Sequence, residues 1–444
     1  METTASAAGT ATEVRTAVKP KAIASGDKHI WGIFIALCII SVIELYSASS
    51  REVASSSIGV MGPILRHLAM LGGGVGVTWI LSRRHYSFFA GFTIVFSLAS
   101  VAAMIYVMFW GQYINGARRS MSLLGFGIYP AEMIKISAVL LVALVMTLNQ
   151  NTKGVGITRT GMIICGVILA FFSFLLLEQG LTNTLLLFAI TFSMMVIGGV
   201  KFSHLFALIG TYALLAAMFV AFLYFTENRA IPADADQAAE QTVGEKARET
   251  SRISTWMARI TRHSNDSIPK WEIQPTGKNR QEILSYMAQA HGGIHGVGPG
   301  NSREASRLPL AFSDYIYAIV IEELGLVGGV VVLLLYLWLL GRAAGIASRC
   351  RITYPALIVM GMAVMIAFQA LFHMGIVTGV FPVSGQPLPL ISKGGTSIIV
   401  TCIAFGIMLS VSRTATRHGN RSQETREEQD ALPEQLRQEN NMQL

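Results

Sequence analysis

Runs of about twenty apolar residues recur along this chain, at 29–48, 61–81, 86–110, 130–149, 160–177, 181–200, 203–225, 315–340, 356–378 and 396–412. A helix needs about 20 apolar residues to cross a bilayer, so these runs predict ten membrane helices and leave little chain for anything else. Only 14% of the 444 residues are charged and 52% are hydrophobic, whereas a soluble domain carries roughly a quarter charged residues. The expected fold class is therefore an all-α polytopic membrane protein. The division between 160–177 and 181–200 is the weakest, because only Glu178-Gln179-Gly180 separates them. The organisation reads as a polar tail over 1–28, a transmembrane domain over 29–412 and a second polar tail over 413–444. Met1 to Lys28 lacks the apolar core and small-residue cleavage site of a signal peptide, so the first run is expected to be a retained span.

Basic residues give the orientation. With the N-terminus in the cytoplasm, the short inner loops hold Arg83, Arg84, Lys153, Arg159, Lys201, Arg342, Arg349 and Arg351 and no Asp or Glu. The short outer loops hold Arg51, Arg118, Arg119 and Lys393. Positive charge favours the inner side, so both termini are expected to be cytoplasmic. The loop from 226 to 314 then lies outside, and long loops are exempt from the charge rule. The net charge of +8 is explained by these flanking positives, and nucleic acid is not an expected partner. Cys38, Cys165, Cys350 and Cys402 fall in apolar runs or a short loop, which implies no disulfide framework.

Chemistry has few places to reside. Asp314 lies where the long polar loop re-enters an apolar run, and an ionised carboxylate beside a bilayer is costly. It could act as a base, or cap the helix that follows. Arg118 and Arg119 sit outside, against the orienting bias; they could snorkel to headgroups or hold a phosphate bidentately. Glu132 and Lys135 are three apart on one helix face and could pair with each other or meet a substrate. With Arg66, His67, Glu178 and His373, they fall near the outer ends of their runs, which suggests a shared polar cavity open to the outside. Ile253, Trp256, Met257 and Ile260 follow helical spacing among arginines and read as a basic amphipathic helix. In Gly292-Gly293-Ile294-His295-Gly296-Val297-Gly298-Pro299-Gly300 the glycines let backbone approach a ligand or another segment closely. No strand precedes them, which excludes a dinucleotide loop.

Four ordered segments resemble the SEDS family (shape, elongation, division, sporulation). They are Asn115-Gly116-Ala117-Arg118-Arg119 with Tyr129-Pro130-Ala131-Glu132-Met133-Ile134-Lys135, then 292–302, then Leu308 to Gly325, then Gly375 to Ser397. Departures from the family pattern include Ser120 for Trp, Tyr129 for Gln, Leu310 for Glu, Phe312 for His and Lys393 for Tyr. A second acidic residue near Asp314 is therefore absent, while Asp314 itself is retained.

The resemblance implies a peptidoglycan glycosyltransferase in the bacterial cytoplasmic (inner) membrane, closer to the division-site member than to the elongation member. Its implied substrate is lipid II. An acceptor sugar hydroxyl attacks the anomeric carbon of the donor, and undecaprenyl pyrophosphate leaves. Asp314 is the expected base. Arg118, Arg119, Glu132, Lys135, Lys393 and Ser397 are expected to contact substrate, with a divalent cation such as Mg2+ or Mn2+ as a candidate helper. The implied partners are a class B penicillin-binding protein transpeptidase, other division proteins at the septum, and membrane lipid. Two competing functions use the same features: flipping lipid II across the membrane, and a non-catalytic scaffold for division.

Overall fold

A computed structural model describes residues 26–48, 61–114, 117–123, 126–150, 156–177, 179–229, 279–308, 311–350, 352–393 and 395–431. Its helices are α1 (Lys28–Ala48), α2 (Met61–Ser82), α3 (Ser87–Trp110), α4 (Pro130–Leu148), α5 (Arg159–Leu177), α6 (Leu181–Ile197), α7 (Phe202–Arg229), α8 (Arg280–Gly292), α9 (Ile316–Ala347), α10 (Thr353–Val377) and α11 (Gly395–Ala431). Among the described residues, eight helices are long and apolar enough to cross a membrane, and Leu181–Ile197 and Phe202–Leu214 are shorter apolar helices. All ten expected spans are thus helical, and the chain is a multi-pass membrane protein. Gly180, with φ 143 and ψ 145, makes the break between α5 and α6.

The spans divide into inner and outer layers. α10 and the apolar part of α11 are buried over 72% and 78% of their length, against 28% for α2 and 33% for α3. The first two, with α4, form the centre, while α2 and α3 turn apolar side chains such as Trp79, Val95 and Leu98 outward. Such exposure suits lipid, which solvates an apolar surface as well as a protein core does. Two apolar clusters hold the bundle. The larger joins α1, α4, α9, α10 and α11 through residues such as Phe34, Val139, Tyr336, Met362 and Phe405. The smaller joins α3 through α6 around Met104, Ile134, Phe172 and Leu187.

Three features depart from the sequence expectation. The connection between α3 and α4 is a three-stranded antiparallel sheet, β1 (Gln112–Ile114), β2 (Ala117–Leu123) and β3 (Phe126–Ile128). Tyr113 pairs with Arg118, and Met121 with Ile128. The signal for it was Asn115-Gly116, a strong two-residue hairpin sequence. The polar loop also contains a helix, α8, which packs on α9 and α10. Finally, α11 continues past 412 to Ala431. The amphipathic helix expected at 253–260 lies outside the described residues, as does Glu178.

α9 is broken. Gly325 has φ 74 and ψ −179, a backbone that glycine adopts readily and other residues rarely do. The glycine-rich segment after α8 fills the break. Val297 N–H donates to Glu322 O at 3.0 Å, Gly298 N–H to Glu323 O at 2.9 Å, and Leu326 N–H to Gly293 O at 2.9 Å. A Cβ on Gly296 would lie 2.2 Å from Glu323 O, and one on Gly292 would lie 2.1 Å from Ile321 O. These glycines serve contact between two segments of the chain. The Glu322 carboxylate reinforces the join, accepting from Ser302 Oγ and, at 3.0 Å, from Arg303 N–H.

Candidate functional site

A cavity of about 500 Å3 is lined by residues from five regions. From the sheet and the start of α4 come Arg119, Tyr129 and Glu132; the start of α6 gives Leu181, Thr182, Asn183 and Leu185. Ser313 and Asp314 precede α9, and the segment 381–397 adds Ser384, Gly385, Gln386, Lys393 and Ser397. Phe372 and Phe381 stack at 4.6 Å between ring centroids and add an aromatic wall.

The two adjacent arginines separate because strand side chains alternate between faces. Arg119 on β2 lines the cavity. The Arg118 guanidinium turns to the end of α3, donating from Nη1 to Met108 O at 3.0 Å and also to Phe109 O. Those carbonyls carry the negative end of the helix dipole, where a cation is favoured. Arg118 O accepts from Gln179 Nε2 at 2.7 Å, which ties the sheet to the α5–α6 turn.

Asp314 is half-buried in the cavity wall. The cap residue of α9 is Tyr315, which makes no side-chain cap hydrogen bond. A Cβ on Gly385 would stand 2.9 Å from Asp314 Oδ2, so the 381–394 segment presses its bare backbone against the carboxylate. Tyr129, just ahead of α4, reports the same neighbourhood. Burial raises its hydroxyl above the usual value, the Asp314 charge raises it further, and Arg119 works the other way. Asp314 and Arg119 therefore both act on one phenol.

Lys393 stands on the same segment. Its N–H donates to Phe312 O at 2.8 Å, and its Nζ lies 4.9 Å from the Phe312 ring centroid, within range of a cation–π contact. Ser392 Oγ donates to Ser313 O at 2.7 Å. These bonds stitch 381–394 to the strand of chain carrying Asp314. Ser397, in the first turn of α11, is buried at the cavity edge.

Beneath the cavity lies a buried polar floor. Lys135 is fully buried, and its Nζ donates to Glu132 Oε1 at 2.7 Å and to Gln369 Oε1 at 3.1 Å. Gln369 Nε2 donates in turn to Glu132 Oε2 and to Pro387 O, each at 3.3 Å. Glu132 thus faces the cavity while anchored from below, and Lys135 is not among the lining residues. Of the other ionisable residues expected at the same depth, His67 bonds Ser41 Oγ at 2.9 Å and His373 bonds Gln386 O at 2.6 Å, both buried; Arg66 is exposed. Gln369 was missed by sequence reasoning, although a lone amide inside the run 356–378 was its available signal. The lining of Thr182, Asn183 and Gln386 was missed for lack of any local pattern. Among the described residues, no three His, Cys, Asp or Glu side chains are grouped to hold a metal.

The model of the FtsW, RodA and SpoVE family, described as cell cycle proteins, matches residues 27–417. A probable peptidoglycan glycosyltransferase FtsW of Trichlorobacter lovleyi is 28% identical over 89% of this chain and 95% of its own length. Stage V sporulation protein E of Bacillus subtilis is 30% identical over 68% of this chain and 73% of its own. The peptidoglycan glycosyltransferase MrdB of Escherichia coli is 26% identical over 85% and 91%. Two solved structures share the fold. One, from a study of polymerization and crosslinking by a peptidoglycan synthase complex, aligns with TM-score 0.62 at 23% identity, covering 88% of this chain and 98% of its own. The other, rod shape determining protein RodA of Thermus thermophilus, gives TM-score 0.58 at 22% identity over 88% and 97%. The overall helical fold accordingly stands in a known frame, and the chain belongs to the FtsW, RodA and SpoVE family.

Proposed function

We propose that this chain lengthens glycan strands from lipid II at the cavity around Asp314. It is a peptidoglycan glycosyltransferase, the activity named for its relatives of the FtsW and MrdB types. The observation that carries the finer reading is that two carboxylates, Asp314 and Glu132, and two cations, Arg119 and Lys393, line a single cavity that also has an apolar wall of Leu181, Leu185, Phe372 and Phe381. A polyprenyl-linked sugar pyrophosphate needs that mixture.

In the proposed step the Asp314 carboxylate takes the proton from the acceptor sugar hydroxyl. The hydroxyl oxygen forms a bond to the donor's anomeric carbon as the bond from that carbon to the pyrophosphate oxygen breaks. Arg119 and Lys393 stabilise the charge on the departing pyrophosphate. Arg118 shapes the wall by fixing β2 to α3. Lys135 acts through Glu132 and Gln369. A divalent cation at this cavity would be held by the Asp314 side and would supply charge neutralisation for the leaving pyrophosphate, because Glu132 is committed to Lys135 and Gln369.

The basic bias of the inner loops supports cytoplasmic termini and an outward cavity. A transpeptidase of the class B penicillin-binding type is the fitting partner, given the likeness to a chain of a peptidoglycan synthase complex, and the division septum the fitting place. A flippase would also use a broken helix, but the break in α9 is closed by the glycine-rich segment and lies outside the cavity lining.

Labelled lipid II with purified protein in detergent tests the activity. Glycan polymer is expected; dye-accessible lipid II in liposomes without polymer would mean transport, and neither would mean a scaffold. Asp314→Asn keeps the shape and removes the base. Polymerisation by this variant at near the wild-type rate would remove Asp314 from the mechanism.

A further inference from the structure

His373 is a histidine inside the apolar run 356–378, buried within α10. A carbonyl oxygen only accepts, so in the 2.6 Å bond to Gln386 O the proton sits on His373 Nδ1. The other ring nitrogen, Nε2, is buried and has no hydrogen-bond partner among the described residues. Burying a polar atom without a partner costs stability, and an apolar side chain of similar size would avoid that cost. What a histidine adds over a leucine at this place is one bond, the one to Gln386 O.

That bond holds a bend beside the carboxylate. Gln386 N–H donates to Ser384 O at 3.0 Å, which turns the chain tightly around Gly385. Gln369, one turn before His373 on α10, donates from Nε2 to Pro387 O at 3.3 Å. Residues four apart share a helix face, so α10 offers two donors to two successive carbonyls. The bend they hold is the one against Asp314, where a Cβ on Gly385 would stand 2.9 Å from Oδ2. Gly385, Gln386 and Asp314 line the cavity, whereas His373 does not. Through this bond, any influence of His373 on the reaction passes by way of 384–386.

We propose that His373 is a positioning residue for glycosyl transfer. Its Nδ1–H fixes the Gly385 bend, and the bend in turn limits where the Asp314 carboxylate can stand relative to the acceptor hydroxyl. The inference rests on the reading of Asp314 as the base. His373 touches no reacting atom, so its loss should slow the chemical step and leave substrate binding nearly intact.

Three variants of the full chain in detergent test this, each followed by lipid II polymerisation and by thermal midpoint. His373→Asn places an amide nitrogen where Nδ1 stood, and so keeps the donor while emptying much of the ring's volume. His373→Leu fills the volume without a donor. His373→Gln carries its donor one carbon too far. His373→Asn should keep kcat within about threefold of wild type even though its midpoint falls, because a cavity lowers stability while the donor stays in place. His373→Leu and His373→Gln should lower kcat by about tenfold or more with KM for lipid II nearly unchanged, the pattern of a group that acts only in the transition state. A packing role predicts the reverse order, with Leu active and Asn impaired. Wild-type kcat in His373→Leu, or an Asn variant as slow as the Leu variant, overturns the proposal; if His373→Leu does not fold, His373→Gln decides in its place. The two readings fail differently. A fully active His373→Leu beside an inactive Asp314→Asn removes the positioning role alone, while an active Asp314→Asn removes the base and the positioning role with it.

Discussion

Replacing Lys135 by Met tests whether the cavity floor is a structural ion pair or a substrate contact. The methionine fills most of the lysine's volume and removes its charge. Glu132 then loses its 2.7 Å partner and keeps only Gln369 Nε2 at 3.3 Å. The Glu132 side chain is only 10% exposed and Lys135 is 0%, so solvent screens the pair little. Removing one member of such a pair costs about 3–5 kcal/mol, because the other is left charged and desolvated. Glu132→Gln should cost a similar amount by stranding the lysine. The double variant Glu132→Gln/Lys135→Met has no buried charge, and its cost should return to about 1 kcal/mol or less, since a buried pair and its neutral replacement are often equal in energy. The difference is a coupling energy of several kcal/mol, large for neighbours. SDS titration in mixed micelles, followed by circular dichroism, measures each variant. Single variants costing under about 1 kcal/mol, or a double variant as unstable as the sum of the singles, would refute the desolvated pair. Polymerisation gives the second readout. If Lys135 acts only by holding Glu132 and Gln369, the double variant regains activity with its stability; if Lys135 contacts pyrophosphate, it stays inactive after stability returns.

Arg119→Ala should lower kcat/KM for lipid II by roughly ten- to a hundredfold, the worth of one charged hydrogen bond at about 1.5–3 kcal/mol, with little change in unfolding. Arg118→Ala should do the reverse, costing about 1 kcal/mol of stability from the lost α3 cap and leaving the chemistry near wild type once folded; equal effects on both readouts would remove the distinction drawn from the strand. Gly385→Ala should displace the Asp314 carboxylate and cut the polymerisation rate by about tenfold or more, since misplacement of a reacting group by 1 Å can cost a hundredfold; unchanged rates would mean that Asp314 moves freely. A reporter fused to the C-terminus should be active only as a cytoplasmic fusion, and periplasmic activity would invert the orientation and the side of the cavity.

The spans were legible because lipid imposes one requirement, apolar length, that any twenty-residue window displays. Most of their ends fell within a few residues of the helices, as at Pro130, whose missing N–H suits the first helical turn, while α9 runs on to Ala347 and α11 to Ala431. The break in α9 was not legible, since Gly325 is one glycine in an apolar run and its conformation is imposed by a segment some thirty residues earlier. The small sheet was written in Asn115-Gly116 but outweighed by the surrounding helices. Missing it also hid the separation of Arg118 from Arg119, because adjacent residues diverge only once the strand is known. At the site, Asp314, Arg119, Glu132, Lys393 and Ser397 could be named from charge, position and resemblance. The Gln369 link and the α6 wall depend on how helices pack, which no local pattern records.

The join between the glycine-rich segment and α9 is made by main-chain atoms, while side chains such as Ile294 point outward. Its information content therefore lies in which side chains are missing. In a library that randomises 292–298, functional survivors should vary widely at Ile294, His295 and Val297 and yet return Gly at 292 and 296, where a Cβ has no room. A recognition surface written in side chains would give the opposite pattern, fixed at the bulky positions and free at the small ones.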